Sequence, residues 1–370
     1  MLLGAACAVD DADPGEDAVQ QDIGGGCAEW ACGTNSPQIA NFGFWEMASP
    51  TVEGQLGLAN NAGLQIAGFI KQTGMTSSFY MPRVIGGKLV GIPGSTNVPP
   101  FTTALRGAAL VNGYFLIWTP SGWFKLFVKG TSEVASWAQP PGTPPGAPSV
   151  FLETYLLDWT NLQGEVFRNV CSKPGQRDDT GMNGPLSFHT LLFEGDRINA
   201  GKKEIRGIDT QWFNFGCAAS TLAKMALTGH TEAARVAHTF NTSVSERQAM
   251  LKLLTADYCG LGIPWTVAGQ RLNWADDRGT MKMVAQVATP QRPVFLEARW
   301  NADGAVCLNK PRVDVSWSAL GEATFGLTPK VYTQVAAACG AKMPPVCASS
   351  SLGTDGHHLV TATEPNAPPP

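Results

Sequence analysis

The chain has 370 residues, of which 44% are apolar and 15% charged, with 41 glycines, 26 prolines and a net charge of −4. This length suits one large domain or two. The modest negative charge, with no basic stripe among the aromatics, excludes a protein that holds nucleic acid by electrostatics. No apolar run reaches the roughly 20 residues of a membrane-spanning helix.

Nine cysteines are present, an odd number for a disulfide protein. Cys7 follows Gly4, Ala5 and Ala6, small residues like those that end a bacterial lipoprotein signal peptide. Cys7 is therefore expected to carry lipid and anchor the protein to a membrane. Ala8 after it would permit sorting to the outer membrane. The other eight, Cys27, Cys32, Cys171, Cys217, Cys259, Cys307, Cys339 and Cys347, suit an oxidising compartment. Asp10, Asp11, Asp13, Glu16, Asp17 and Asp22 show no apolar periodicity, so 1–26 reads as a signal remnant and acidic tether.

Cys27 and Cys32 sit in a polar segment flanked by glycine and are expected to close a local disulfide loop. Half a zinc knuckle fits less well, because no Cys/His pair at ligand spacing follows. No metal or cofactor is expected. Residues 27–138 read as a β-rich module, with short strand-like runs at 56–58, 64–66, 89–90, 108–111, 114–118 and 123–128. The last two flank Thr119, Pro120, Ser121 and Gly122, a hairpin signal. The stretch 139–149, QPPGTPPGAPS, is a loop or linker of extended chain. A strand pattern resumes at 150–159, which favours a loop within one sheet.

Residues 150–347 read as an α+β module with a helical insert at 217–258. Ala218, Leu222 and Met225 share a helix face, and Gly229 suits its end. Thr231 can cap a second helix. Ser243 and Glu246 have capping-box spacing for a third. Cys217 and Cys259 are expected to bridge and bracket these helices, closing a loop of about 43 residues worth roughly 4 kcal/mol. Strands are expected at 263–267, 281–287, 294–300 and 305–308, with a hairpin turn at 301–304. A helix follows at 328–338, Cys339 and Cys347 are expected to bridge each other, and 348–370 reads as a flexible tail. The fold expected is α+β: a β-rich antiparallel body with a disulfide-bracketed three-helix insert.

The run Phe213, Asn214, Phe215, Gly216, Cys217, through Lys224, together with Ala256, Asp257, Tyr258, Cys259 and Gly260, resembles the ADYC domain family. Phe295 to Trp300, Gly304 to Cys307 and the segment from Cys27 to Pro37 extend the resemblance over about 27–312. The resemblance implies an exported, often lipoprotein-like protein of a kind common in myxobacteria. It implies no activity.

The sharpest catalytic candidate is Cys217, a thiol whose ionised form a helix N-terminus would stabilise. His238 could serve as its base, as could His230 or the pair His357 and His358, with Asp257 orienting the imidazole. Against this stands a disulfide role for Cys217. Glu297, Asp276 and Asp277 could supply a carboxylate pair, although strand alternation equally places Glu297 on a solvent face. His357 and His358, near a Pro-rich tail, are expected to be exposed. Dinucleotide, phosphate-loop, nucleophile-elbow and zinc-protease motifs are absent from the sequence. The function expected is a binding or structural role at the cell envelope, toward carbohydrate or an envelope protein. The alternative is a secreted hydrolase using Cys217 with a histidine, or a carboxylate pair.

Overall fold

The computed structural model describes residues 45–94, 104–144, 147–162, 168–171, 189–217, 220–266, 273–280, 295–309, 311–312, 331–349, 354 and 356–363. Cys7, the acidic tether, the Cys27 and Cys32 pair and the expected strand 281–287 lie outside these residues.

Alternating side chains build the larger of two sheets. Its strands are β1 (Glu46–Ala48), β2 (Gln65–Thr73), β3 (Thr76–Ile85), β4 (Lys88–Pro93), β5 (Leu105–Arg106), β6 (Gly113–Thr119), β7 (Gly122–Ala135), β8 (Phe151–Asn161), β9 (Arg168–Asn169), β10 (His189–Asn199) and β11 (Glu204–Cys217). They run antiparallel in the order β1-β11-β10-β8-β7-β6-β2-β3-β4-β5, with β9 beside β8. Phe69, Phe115, Leu126, Tyr155, Phe213 and Phe215 come from β2, β6, β7, β8 and β11 yet share one core. The sheet is therefore curled around its own inner face. Bulges at Val128/Gly130, Glu194/Gly195 and Arg197/Ile198 supply local twist. The β3–β4 turn reaches across the curl, where the Gly86 and Gly87 amides donate to Glu194 at 2.6 and 3.1 Å. The Leu89 amide donates to the Tyr155 hydroxyl at 2.6 Å.

The smaller antiparallel sheet has the order β12 (Asn273–Asp276), β15 (Leu359–Thr363), β13 (Phe295–Asn301), β14 (Gly304–Leu308). Between the sheets lie α1 (Thr221–Leu227), α2 (Glu232–His238) and α3 (Val244–Thr255), and α4 (Val331–Cys339) adds to the same core. Ser220, Thr231 and Ser243 cap the first three helices, the last with a full capping box. Gly216 lets α1 sit directly on β11: a Cβ there would lie 2.5 Å from the Ala223 amide nitrogen. An α+β fold with a β-rich antiparallel body is what the structure shows.

Several expectations change. The first helix does not begin at Cys217; β11 runs through that residue, and the helix starts after Ser220. Phe213 and Phe215 face the inner core, so the period there is two. Residues 108–111 form a 3-10 turn (Gly107–Leu110), and neither 56–58 nor 263–266 is strand. The 139–149 stretch joins β7 to β8, which pair directly through Ala135 and Phe151. One sheet therefore spans the expected 27–138 and 150–347 modules. The expected tail contains β15, which pairs with both β12 and β13.

The disulfides also differ. Cys171 bridges Cys217, Cys259 bridges Cys339 and Cys307 bridges Cys347, with Cα separations of 5.4, 5.7 and 4.8 Å. The expected Cys217–Cys259 bracket fails because the large sheet stands between the two. Cys217 belongs to the core inside the curl, Cys259 to the core between the sheets. The expected Cys339–Cys347 bridge fails because Cys339 ends α4 in that second core. Cys347 instead lies beside β14, where the Leu308 amide donates to Pro345 at 2.9 Å. The loops closed span 46, 80 and 40 residues, each worth about 4 kcal/mol of unfolded-state entropy on the chain-entropy model.

Candidate functional site

The Ala256–Gly260 segment is where α3 ends. Ala256 adopts the left-handed conformation, φ 53°. Asp257 then accepts the Leu261 and Gly262 amides, both at 2.9 Å, and pairs with Lys252 at 2.7 Å. Tyr258 stacks on Trp300 at 5.3 Å, and its hydroxyl donates to Glu297 at 2.7 Å. That hydroxyl also accepts the Arg312 amide at 2.9 Å, while the Arg312 guanidinium binds Glu297 at 2.8 Å. Burial raises the Tyr258 phenol well above its usual range, and the Glu297 carboxylate adds to this. Cys259 is bridged. Gly260 has φ +67°, and a Cβ there would lie 2.1 Å from the Asp303 carbonyl oxygen. Each of these residues is committed to architecture. Glu297, expected at the solvent face, is fully buried, with Tyr258 and Arg312 closed over its carboxylate.

A second buried network ties β10 to α2 and α3. Asp196 accepts the Glu232 amide at 2.9 Å and two donors of Arg247 at 3.1 and 2.9 Å. Arg247 also reaches Glu232 at 3.0 Å and the Thr242 carbonyl at 2.8 Å. Burial raises the Asp196 carboxyl, with Arg247 opposing.

The residues of the expected cysteine triad are not brought together. Cys217 is bonded to Cys171 and offers no thiol. Asp257 belongs to Lys252. His238, at the end of α2, lines a shallow surface dip with Gly87, Lys88, Phe151, Glu153 and Ala234. Burial lowers its pKa, Lys88 lowers it further and Glu194 opposes. His230 is buried in the turn between α1 and α2. Its Nδ1 lies 2.8 Å from the Thr228 carbonyl, and its ring is edge-on to Trp274. Asp276 is buried and accepts the Thr280 amide at 2.8 Å and the Thr280 hydroxyl.

A different constellation forms at the N-terminus of α3. Ser245 Oγ lies 2.9 Å from His358 Nε2, and His358 Nδ1 lies 3.6 Å from Asp277 Oδ2. Pairing of β12 with β15 sets this up, since the Asp277 amide donates to the His358 carbonyl at 3.1 Å. The His358 amide, in turn, faces Asn301 Oδ1 at 3.3 Å. Next to these, Arg278 grips both carboxylate oxygens of Glu246, at 2.8 Å for Oε2. The Ser243 amide also donates to Glu246 at 2.6 Å. Burial pushes the Glu246 carboxyl up, but Arg278 and Ser243 outweigh it and hold it at about 2. Glu246, Asp277 and His358 offer ligand atoms within 4.8 Å of one another. A cation there would have to displace the guanidinium from Glu246, so the donor set does not fit a metal.

Asp277 and His358 were visible in the sequence as separate candidates. Ser245 was hidden inside the capping box that predicts α3, and His358 was assigned to a tail. The signal that could have recovered His358 is the β-branched run after it, from Leu359 to Thr363.

The ADYC domain model matches residues 127–314. The chain belongs to the ADYC domain family. No curated protein and no solved structure matches it. The matched span starts within β7 and takes in β8 to β14 with the first three helices. Among the described residues, no helix is long and apolar enough to cross a membrane.

Proposed function

We infer that this is an exported cell-envelope protein with a binding role, held to the membrane by lipid on Cys7. The observation that carries it is the disulfide framework: three bridges staple both cores, and such bonds persist in oxidising compartments. The small residues before Cys7 and the acidic segment after it support the anchor. Radiolabelled fatty acid supplied to cells should enter the wild-type protein and not Cys7→Ser. No incorporation into wild type would sink the anchor.

The binding role falls to the outer face of the large sheet. Phe115, Ile117, Leu126 and Val128 point into the core, so their neighbours on β6 and β7 point out. Trp118 and Trp123 pair across the strands there, and Trp123 is 37% exposed. Further along, Tyr114 is itself buried beneath Lys125 and backs this face, packing on Phe127 with ring centres 5.0 Å apart. Flat rings bordered by Gln65 and Lys125 suit a polysaccharide, whose sugars offer both apolar faces and hydroxyls. Co-sedimentation with insoluble cell-wall polysaccharide should weaken at least fivefold in Trp123→Ala. Unchanged retention would remove this face from the binding role.

A further inference from the structure

We propose that Ser245, His358 and Asp277 form a serine acyl-hydrolase site acting on short-chain acyl esters. Ser245 lies at the start of α3, His358 just before β15 and Asp277 just after β12, so each is placed by a separate element. Their roles follow from which nitrogen faces which partner. Asp277 faces Nδ1, and a proton held there leaves Nε2 with its lone pair toward the Ser245 hydroxyl, 2.9 Å away. This order, serine on Nε2 and carboxylate on Nδ1, is the one found in serine triads. The 3.6 Å between Asp277 and His358 is longer than a hydrogen bond. Contacts of this kind tighten when substrate binds.

The helix supplies the second requirement. Ser245 is the second residue of a 12-residue helix. The first-turn amides of Val244 and Ser245 have no intrahelical acceptor and lie at the positive end of the dipole. They are placed to stabilise an oxyanion formed on an acyl group bonded to Ser245. The ion pair of Arg278 with Glu246, and the bond from Ser243, lock that turn in position. Access is open: the side chains of His358 and Asp277 are 31% and 38% exposed. A site this open grips little of a substrate beyond the reacting ester, which suits a short acyl chain and not a long one.

In the reaction, Ser245 Oγ bonds to the ester carbonyl carbon and its proton passes to His358 Nε2. The carbon–alkoxide bond breaks, and the alcohol leaves with that proton. Water then attacks the acyl-serine and gives a proton to His358; the acyl–Oγ bond breaks, the acid departs, and His358 returns that proton to Ser245 Oγ. Asp277 is a positioning residue that acts through the imidazole. This activity goes beyond the envelope role and stands independently of the lipid anchor and the aromatic face.

The test uses the full chain with its disulfides intact. A fluorophosphonate probe should label the protein, with the adduct mapped by mass to Ser245, and p-nitrophenyl acetate should be hydrolysed. Ser245→Ala should abolish the label and all Ser245-dependent hydrolysis, a loss of up to about 10⁶-fold as for removal of a triad nucleophile. His358→Gln should do the same. Asp277→Asn should lower the rate less and alter its pH profile, a change that a purely structural role would not produce. Ser245→Thr, which keeps the hydroxyl and the fold, should retain part of the label. Folded wild type that takes no label at Ser245, or hydrolysis unchanged in Ser245→Ala, would overturn the proposal.

Discussion

The core inside the curled sheet and the core between the two sheets are built on different physical terms. The first is an aromatic and aliphatic cluster, with Phe69 edge-on to Phe115 at 5.4 Å and Phe213 beside Phe215 at 5.2 Å. The second has comparable apolar packing, but Asp196, Arg247, Lys252, Asp257, Glu297 and Arg312 are buried within or beside it. Helix ends and the turns that lead into and out of them explain much of the contrast. Strands satisfy their amides and carbonyls on their neighbours, whereas each helix leaves orphaned groups at both ends. Asp196 takes the first amide of α2, Arg247 takes the carbonyl preceding the cap of α3, and Asp257 takes two amides beyond its end. Buried charges are expensive alone and tolerable when paired and bonded in this way.

That difference can be tested most severely with a pair of substitutions. Asp196→Ala takes two hydrogen bonds from the buried Arg247 and one from the Glu232 amide, leaving the guanidinium only Glu232 and the Thr242 carbonyl, and should lower stability by about 3–5 kcal/mol. Ile117→Val trims the first core and should cost only about 0.5–1.5 kcal/mol. Urea denaturation of both variants reads the contrast. Equal costs would mean that the charged network adds nothing beyond packing.

A smaller effect is expected from Tyr258→Phe, which removes only the hydroxyl between Glu297 and the Arg312 amide. The loss should be about 1–3 kcal/mol, because two buried groups lose a partner while the ring keeps its place on Trp300. Thermal unfolding at fixed heating rate gives the comparison with wild type.

The smallest effect concerns pH. Burial lowers the pKa of His230 below its ordinary value, with Asp276 opposing. In the window between the folded pKa and about 6.5, the unfolded chain binds the proton and the folded chain does not. Stability therefore rises with pH through that window and falls on acidification. His230→Gln should flatten this limb of the stability profile while leaving the profile above pH 7 parallel to wild type. An unchanged acid limb would show that other groups govern it.

Much of the fold was legible because local signals were strong. The hairpin of β6 and β7 was marked by alternation on both sides of Pro120 and Gly122. Two helix starts were marked, by Thr231 and the Ser243 capping box, and the spacing of Leu222 and Met225 marked the body of the first helix but not its start. The missing strands had weaker signatures. β3 is polar at its start (Thr76, Ser77, Ser78), and β11 is exposed along its first half. The candidate site was less legible still, because Ser245, Asp277 and His358 are 32 and 81 residues apart in turn. Sequence spacing carries no information about residues joined only through strand pairing.

What the sequence determined by itself is the chemistry of local choices: where chains turn, where helices are capped, which family the Ala256–Gly260 segment marks. The even set of cysteines after Cys7 is also a property of the sequence. Only the tertiary structure decided which cysteines meet, because a bridge depends on which face of the large sheet each side chain occupies. Cys217 faces inward from a strand, Cys259 lies on the other side, and no count of intervening residues reveals that. The same holds for the site at α3. β15 must pair with β12 before His358 lies beside Asp277, and the second sheet must pack on α3 before His358 reaches Ser245.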